Sequence, residues 1–340
     1  MSAADPPDDR TPVTLLTGFL GAGKTTLLRG LLRAIGGDRV LVVENEFGAA
    51  NIDSELLEEI EPGMVRRVNG CICCAVQIDL AHTFRSIAEA RAGGRIAFDR
   101  VILETTGMAE PGALLGTFFA GDALQATFRV DAVVTVVDLR HIEVDLQNSP
   151  VAQDQVAQAD VLVLNKQDLV DAATRARVEA LVRSANPIAE QHVTKFGAVA
   201  PAVVIDRGRF ERAVSPKHGG HHHPHQHDPF GSVVVRDAGP HDVRRVRAWL
   251  RRLADAAPDD LYRYKGIVHA AGRARRVTVQ GVHDLFTIEA ARAWRPGERR
   301  ETTLVFIGLD LDAEALAHAL CATRGARARV DGSAAGTLPR

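Results

Sequence analysis

Apolar residues in the first two hundred positions come in short, nearly unbroken runs. Residues 13–16, 40–43, 101–103, 133–137 and 161–164 are each about strand length and consist of Val, Leu and Ile with an occasional Thr. Runs without polar alternation predict parallel strands covered on both faces. Between them lie stretches with helical spacing of apolar positions, at 25–34, 80–91, 112–119 and 172–184. Strand and helix signals that alternate in this way predict an α/β domain with a doubly wound, mostly parallel sheet, over residues 12–206.

The rhythm stops near residue 205. The segment 207–230 carries HGGHHHPHQHDP without periodicity and is expected to be an exposed linker. A different pattern follows, with strand-like runs at 232–236, 262–269, 276–279 and 303–307. Helices are expected at 242–254 and 313–321. These do not alternate regularly, so a smaller α+β domain is expected over 231–322. Arg244, Arg245, Arg247, Arg251 and Arg252 form one basic helix face, read as solvated or partner-facing. Cys321 falls in the apolar closing helix and is expected in the core. The ends, 1–11 and 323–340, are polar or low in complexity and are expected to be disordered.

Composition narrows the class. A chain of 340 residues is long enough for two domains. With 41 Lys and Arg against 43 Asp and Glu, the net charge is −2, which gives no support for nucleic-acid binding by the whole chain. No run of 18 apolar residues exists, so no membrane span is expected. The first ten residues lack a basic stretch followed by an apolar one, so no signal peptide is expected either. Four Cys in the chain do not make a disulfide framework, and a cytoplasmic location is expected.

The first apolar run leads into Gly18-Phe19-Leu20-Gly21-Ala22-Gly23-Lys24-Thr25. This matches the phosphate-loop pattern, with a strand before it and a helix after it. Such a loop turns successive N–H groups of Gly21, Ala22 and Gly23 toward phosphate oxygens at a helix N-terminus. Lys24 reaches the β- and γ-phosphates, the Thr25 hydroxyl ligates Mg²⁺, and Thr26 is expected at the α-phosphate. The run 101–103 ends in Glu104, followed by Thr105, Thr106 and Gly107. An acid at that strand end is a second candidate for Mg²⁺, and Gly107 a candidate for close approach to the γ-phosphate. The run 161–164 leads into Asn165-Lys166-Gln167-Asp168. The Asp168 carboxylate can accept from the N1–H and exocyclic amine of guanine, a donor pair that adenine lacks, and Lys166 can lie over the base. GTP is therefore expected rather than ATP.

Soft ligands are clustered. Cys71, Cys73 and Cys74 lie within four residues, too close for an unstrained disulfide, so the spacing favours a soft or borderline metal ion such as Zn²⁺, Cu⁺ or Co²⁺; zinc is favoured, with Co²⁺ or Ni²⁺ open. Six His fall within 218–227, and His221, His222, His223, His225 and His227 are candidate accessory ligands, for delivery or only for storage.

Taken in order, GFLGAGKTT, ENEFG at 44–48, GCICC at 70–74, LETTGMAEP at 103–111 and NKQD at 165–168 resemble the CobW-type metallochaperone GTPases, in particular their YjiA-like branch. In the second half, RYKGIV at 263–268 and LVFIGLDLD at 304–312 are similar to that family's C-terminal domain. The resemblance implies slow GTP hydrolysis, metal binding by the C-x-C-C thiolates and nucleotide-dependent delivery of the metal to a client metalloprotein. Glu44 is then a further candidate ligand for the transition metal. Glu46 or Asp53 is expected near Mg²⁺ or the attacking water. Glu46 is the candidate catalytic acid beside Lys24 and Glu104, and Asp53 the candidate Mg²⁺ ligand. Two other readings stay open: a passive metal reservoir that uses nucleotide for folding, and a small-molecule kinase, against which N-K-x-D argues. Oligomeric state is not legible, and a homo-oligomer is allowed.

Overall fold

The computed structural model describes residues 8–35, 39–45, 65–70, 76–119, 122–205, 208, 210 and 229–325. The chain order is β1 (Thr11–Thr17), α1 (Lys24–Ala34), β2 (Val40–Asn45), β3 (Val65–Gly70), α2 (Val76–Ala92), β4 (Arg100–Thr105), α3 (Pro111–Phe119), α4 (Asp122–Thr127) and β5 (Phe128–Asp138). It continues with α5 (Ile142–Asn148), α6 (Pro150–Ala157), β6 (Val161–Asn165), α7 (Ala172–Ala185), β7 (Glu190–Val193) and α8 (Pro201–Val204). The second half holds β8 (Phe230–Asp237), α9 (Val243–Ala256), β9 (Leu261–Val268), β10 (Arg275–Val282), β11 (Leu285–Ala293), β12 (Thr302–Leu309) and α10 (Ala313–Ala322).

Among the described residues, seven strands form one sheet in the order β3-β2-β4-β1-β5-β6-β7, with every pair parallel. Alternate side chains of each strand serve opposite faces. Val13, Leu15, Val101 and Leu103 pack with Leu80, Phe84 and Ile87 of α2 and with Leu114, Leu115 and Phe118 of α3. Leu16, Val42, Ile102 and Val134 pack with Leu27, Leu28, Leu31 and Leu32 of α1. Burial on both sides explains the unbroken apolar runs. Truncating one of these leucines to Ala would cost about 2–5 kcal/mol. Parallel pairing also brings every strand's C-terminal end to one edge of the sheet, where Thr17, Asn45, Gly70, Thr105, Asp138 and Asn165 end their strands.

The second sheet is antiparallel, in the order β11-β10-β9-β12-β8. One face is covered by Val246, Trp249 and Leu250 of α9 and by Leu316 and Leu320 of α10. The other face turns Tyr262, Val305 and Ile307 onto Ala157 and Ile188 of the first domain. This is an α/β domain followed by an α+β domain, as the patterning predicts. Both helices of the second domain are capped by an acid: Asp242 accepts from the Arg244 N–H, and Asp312 from those of Glu314 and Ala315.

A buried ion cluster joins the two domains. Asp160 lies 2.6 Å from the Arg263 guanidinium and 3.4 Å from Lys265 Nζ, and the three residues are 4%, 2% and 1% exposed. Burial by itself raises the Asp160 carboxyl, but the two cations outweigh it and hold the group below the usual carboxylate range.

Several expectations need correction. Phe210, placed in the exposed linker 207–230, is buried against Phe119, and its ring faces Arg263 and Lys265. Strand β8 begins inside that linker, at Phe230. At the chain ends, β1 begins at Thr11, and the tail expected from 323 starts as folded structure. Thr323 is buried, and Arg324 pairs with Asp237 at 2.8 Å. Cys321 is exposed rather than core, because α10 buries Leu316 and Leu320 and turns the next position outward. Its thiol donates to Asp237 at 3.2 Å. The arginines of α9 are exposed as expected, with Arg247 and Arg251 about the Phe286 ring at 6.0 and 5.8 Å. Among the described residues no helix is long and apolar enough to cross a membrane.

Candidate functional site

The phosphate loop lies between β1 and α1, at the strand-end edge. Gly18, Gly21 and Gly23 all have positive φ, and Gly23 at φ 106° stands at the N-cap of α1. The cap brings no side-chain hydrogen bond, and the first turn of α1 holds no acid, so the helix's positive end faces the loop. The Lys24 ammonium donates back to the carbonyls of Gly18 at 2.8 Å and Phe19 at 3.4 Å. Thr26 is exposed beside it, and Ala22 is buried under the loop.

Thr25 and Glu104 meet. The Thr25 hydroxyl donates to Glu104 Oε1 at 3.0 Å across 79 residues of sequence. Two hard oxygen donors at the N-terminus of α1 suit Mg²⁺, so the residues present fit that ion. Beyond Glu104, Thr105 is held by a 2.9 Å bond to Thr17 of β1, and the Thr106 hydroxyl is buried with no hydrogen-bond partner among the described residues. Gly107 then passes over the phosphate loop. A Cβ there would come 2.7–2.8 Å from Leu20 side-chain and backbone atoms, so only Gly permits this approach.

The N-K-x-D segment divides its work. Asn165 is buried and bridges two loops. Its amide donates to the Ala22 carbonyl at 2.9 Å, and its Oδ1 accepts from the Gly197 N–H at 3.0 Å. It holds the phosphate loop and the 194–198 loop in place. Lys166 sits in the left-handed region with φ 64°, and its ammonium bonds Asp138 at 2.7 Å. Burial by itself raises the Asp138 carboxyl, but hydrogen bonds from Lys166 and His141 hold it below its ordinary value. Asp168 is exposed in a short 3₁₀ turn at the same edge.

Sequence reasoning passes over two parts of this edge. Asp138 carries the same signature as Glu104, an acid closing an apolar run. The 194–198 loop follows β7, whose Glu-Gln-His-Val gives no apolar signal. Its Thr194 carbonyl accepts from the Gln167 N–H at 3.2 Å, which ties it to the N-K-x-D turn.

The remaining candidates divide between backbone placement and none. Glu44 stands opposite Glu104 in the β2–β4 register. Strand β3 ends at Gly70, and α2 begins at Val76. Cys71, Cys73 and Cys74 fall between them, outside the described residues, as do Glu46, Asp53, His221, His222, His223, His225 and His227. Among the described residues no group of three or more His, Cys, Asp or Glu is set to hold a metal ion.

The comparisons cover nearly the whole chain. Residues 12–193 match the CobW/HypB/UreG nucleotide-binding domain, and residues 230–324 match the CobW C-terminal domain. The zinc chaperone YjiA of Escherichia coli is 34% identical over 315 residues, 92% of this chain and 98% of that protein. The zinc chaperone CobW of Pseudomonas aeruginosa is 35% identical over 345 residues, 92% and 91% of the two chains. The crystal structure of Zn(II)-bound YjiA GTPase from E. coli superposes with a TM-score of 0.75 at 30% identity, over 94% of this chain and all of that one. With the phosphate loop, the strand-end acid and the N-K-x-D turn gathered at one edge of a parallel sheet, this chain belongs to the CobW/HypB/UreG family of nucleotide-binding proteins with a CobW C-terminal domain.

Proposed function

We propose that this protein hydrolyses GTP and uses its nucleotide state to set how tightly Cys71, Cys73 and Cys74 hold a zinc ion, which it passes to a client metalloprotein. The observation that carries the nucleotide half is the joining of three motifs. Thr25 bonds Glu104, and Asn165 bonds the phosphate-loop carbonyl of Ala22. The zinc half rests on the three clustered thiols and on the relatives named zinc chaperones.

Each residue has a part. Lys24 swings from the Gly18 and Phe19 carbonyls to the β- and γ-phosphates. Thr25 and Glu104 would hold Mg²⁺, with Asp53 as its further ligand, and a bound ion there would supply positive charge to the phosphate oxygens. Gly107 presents its backbone to the γ-phosphate, and Glu46 orients the attacking water. Asp168 reads guanine, with Lys166 beside the base. Asn165 acts through the loops it holds. Gly70 ends β3 three strands from β1, and Cys71, Cys73 and Cys74 follow it directly in the sequence. Glu44 is an added ligand on the neighbouring strand, and the histidines of 218–227 gather metal. Zinc is preferred over cobalt and nickel.

The test is turnover of GTP and of ATP by the full chain, with and without zinc. The proposal expects GTP hydrolysis that excess ATP does not suppress and that changes when zinc is added. Hydrolysis of both nucleotides alike would reject the base assignment. A rate indifferent to zinc would favour a reservoir.

A further inference from the structure

Helix α6 buries polar groups that belong to none of the nucleotide-binding motifs. Gln153, Asp154 and Gln155 are consecutive, Gln158 follows at the C-cap, and all four are buried. Burying amides and carboxylates without partners costs several kcal/mol, so such residues are explained by what they hold.

Gln155 faces the nucleotide site. Its amide donates to the carbonyls of Gly107 at 3.1 Å and Ala109 at 3.0 Å, and its own backbone carbonyl accepts from the Thr135 hydroxyl at 2.6 Å. It therefore sets the backbone of the loop that Gly107 lays against Leu20 of the phosphate loop. The neighbouring side chains face the second domain. Asp154 accepts from the Gly112 N–H in the first turn of α3 at 2.9 Å and from Gln158 at 3.0 Å, and lies 3.3 Å from His283 Nε2. Gln153 accepts from the Tyr262 hydroxyl at 3.1 Å, and Gln158 donates to the Tyr262 carbonyl at 2.7 Å.

His283 stands in the turn between β10 and β11, with φ 50°, and its ring packs on α3 as well. A Cβ on Gly112 would come 2.3 Å from His283 Nε2. So the first turn of α3, helix α6 and the β10–β11 turn meet at one point. Adhesion of the domains does not require this point, because the Asp160–Arg263–Lys265 cluster already supplies a buried anchor. Nor would adhesion explain Gln155, whose amide donates to Gly107 and Ala109 of the first domain.

We propose that Gln155 is a positioning residue for GTP hydrolysis, and that Asp154 and His283 make α6 the port through which the C-terminal domain sets the hydrolysis rate. The proposal rests on the GTPase reading above. A helix moves as a unit, so a shift of the β10–β11 turn at His283 displaces Gln155 and with it Gly107. Coupling of this kind is reciprocal in binding. A client seated on the second domain would change nucleotide affinity, and the γ-phosphate would change what that domain presents.

The test is steady-state GTP turnover with GDP affinity, on the full chain, for Gln155→Ala, His283→Ala, His283→Gln and the Gln155→Ala/His283→Ala pair. Gln155→Ala is expected to lower kcat about tenfold while leaving KM and GDP affinity within about twofold. His283→Ala is expected to shift kcat about fivefold, and His283→Gln, which keeps a donor toward Asp154, to restore it. The double variant should be no slower than the slower single one, since both cut one link. Wild-type kcat in either alanine variant, or single effects that simply multiply, would overturn the proposal. His283 lies at the surface of the contact, so its variants decide the matter if Gln155→Ala does not fold. A wild-type chain without GTP turnover would defeat the GTPase reading itself. Wild-type turnover with unchanged variants would defeat only the port.

Discussion

Two polar regions border the same parallel sheet, and they satisfy their polar groups in opposite ways. At the strand-end edge, Lys24, Thr25, Thr26 and Asp168 are partly or fully exposed, and bonds such as Asn165 to Ala22 hold backbone loops in position. At the domain contact, Asp160, Arg263, Lys265 and the polar residues of α6 are buried and spend their hydrogen bonds on other buried protein groups. The first arrangement leaves charge available to something that binds. The second is closed off from water, so losing one partner strands another. Stability should therefore be sensitive at the contact, and chemistry at the edge.

The largest break of that contrast is Asp160→Asn. It takes from the buried Arg263 its 2.6 Å carboxylate partner and from Lys265 the carboxylate the two cations share, and is expected to cost about 3–5 kcal/mol in denaturant unfolding. Lys24→Ala should do the reverse. It is expected to lower GTP turnover about 10²–10³-fold, the scale of losing one donor to developing charge, while the melting temperature stays put.

A smaller effect sharpens the comparison from within the second domain. Burial raises the Asp237 carboxyl, but hydrogen bonds from Arg324, the Gly239 N–H and Cys321 bring it from 3.8 to about 2. A lowered folded-state pKa gives stability that is present above the unfolded value and lost as pH falls through the folded one. Arg324→Ala should then cost about 1–2 kcal/mol at neutral pH. The difference from wild type should fade between pH 3.8 and about 2 in acid-unfolding curves. A penalty unchanged at pH 2 would mean that Arg324 acts by packing.

What the sequence made legible follows the same divide. The nucleotide edge is built from contiguous motifs, because loops that bind phosphate and base need fixed residue types at fixed spacing. Even the Thr25–Glu104 contact across 79 residues could be anticipated, since each member sits in its own motif. The contact network could not. Gln155 meets Gly107 from 48 residues away, Gln153 meets Tyr262 from 109, and Arg263 meets Asp160 from 103. A lone Gln or Arg carries no sign of such a partner. The unpredicted strands share a cause too. Strands β3, β7 and β11 are all edges of their sheets and lack the unbroken apolar run of a strand buried on both faces. Cys321 lies outside the core because the core takes Leu320, and an apolar helix does not tell which of two adjacent positions faces inward.

In the proposed function, nucleotide state sets metal affinity, since a ligand moves an equilibrium only through its different affinity for two states. The direct measurement is a competition titration of zinc into the full chain loaded with a non-hydrolysable GTP analogue or with GDP. Cys73→Ala serves as the control for binding at the thiols. The account predicts zinc binding about tenfold or more tighter with the GTP analogue, a coupling on the order of 1.4 kcal/mol, and loss of that difference in the Cys73 variant while GTP binding persists. Equal zinc affinity in the two nucleotide states would contradict it.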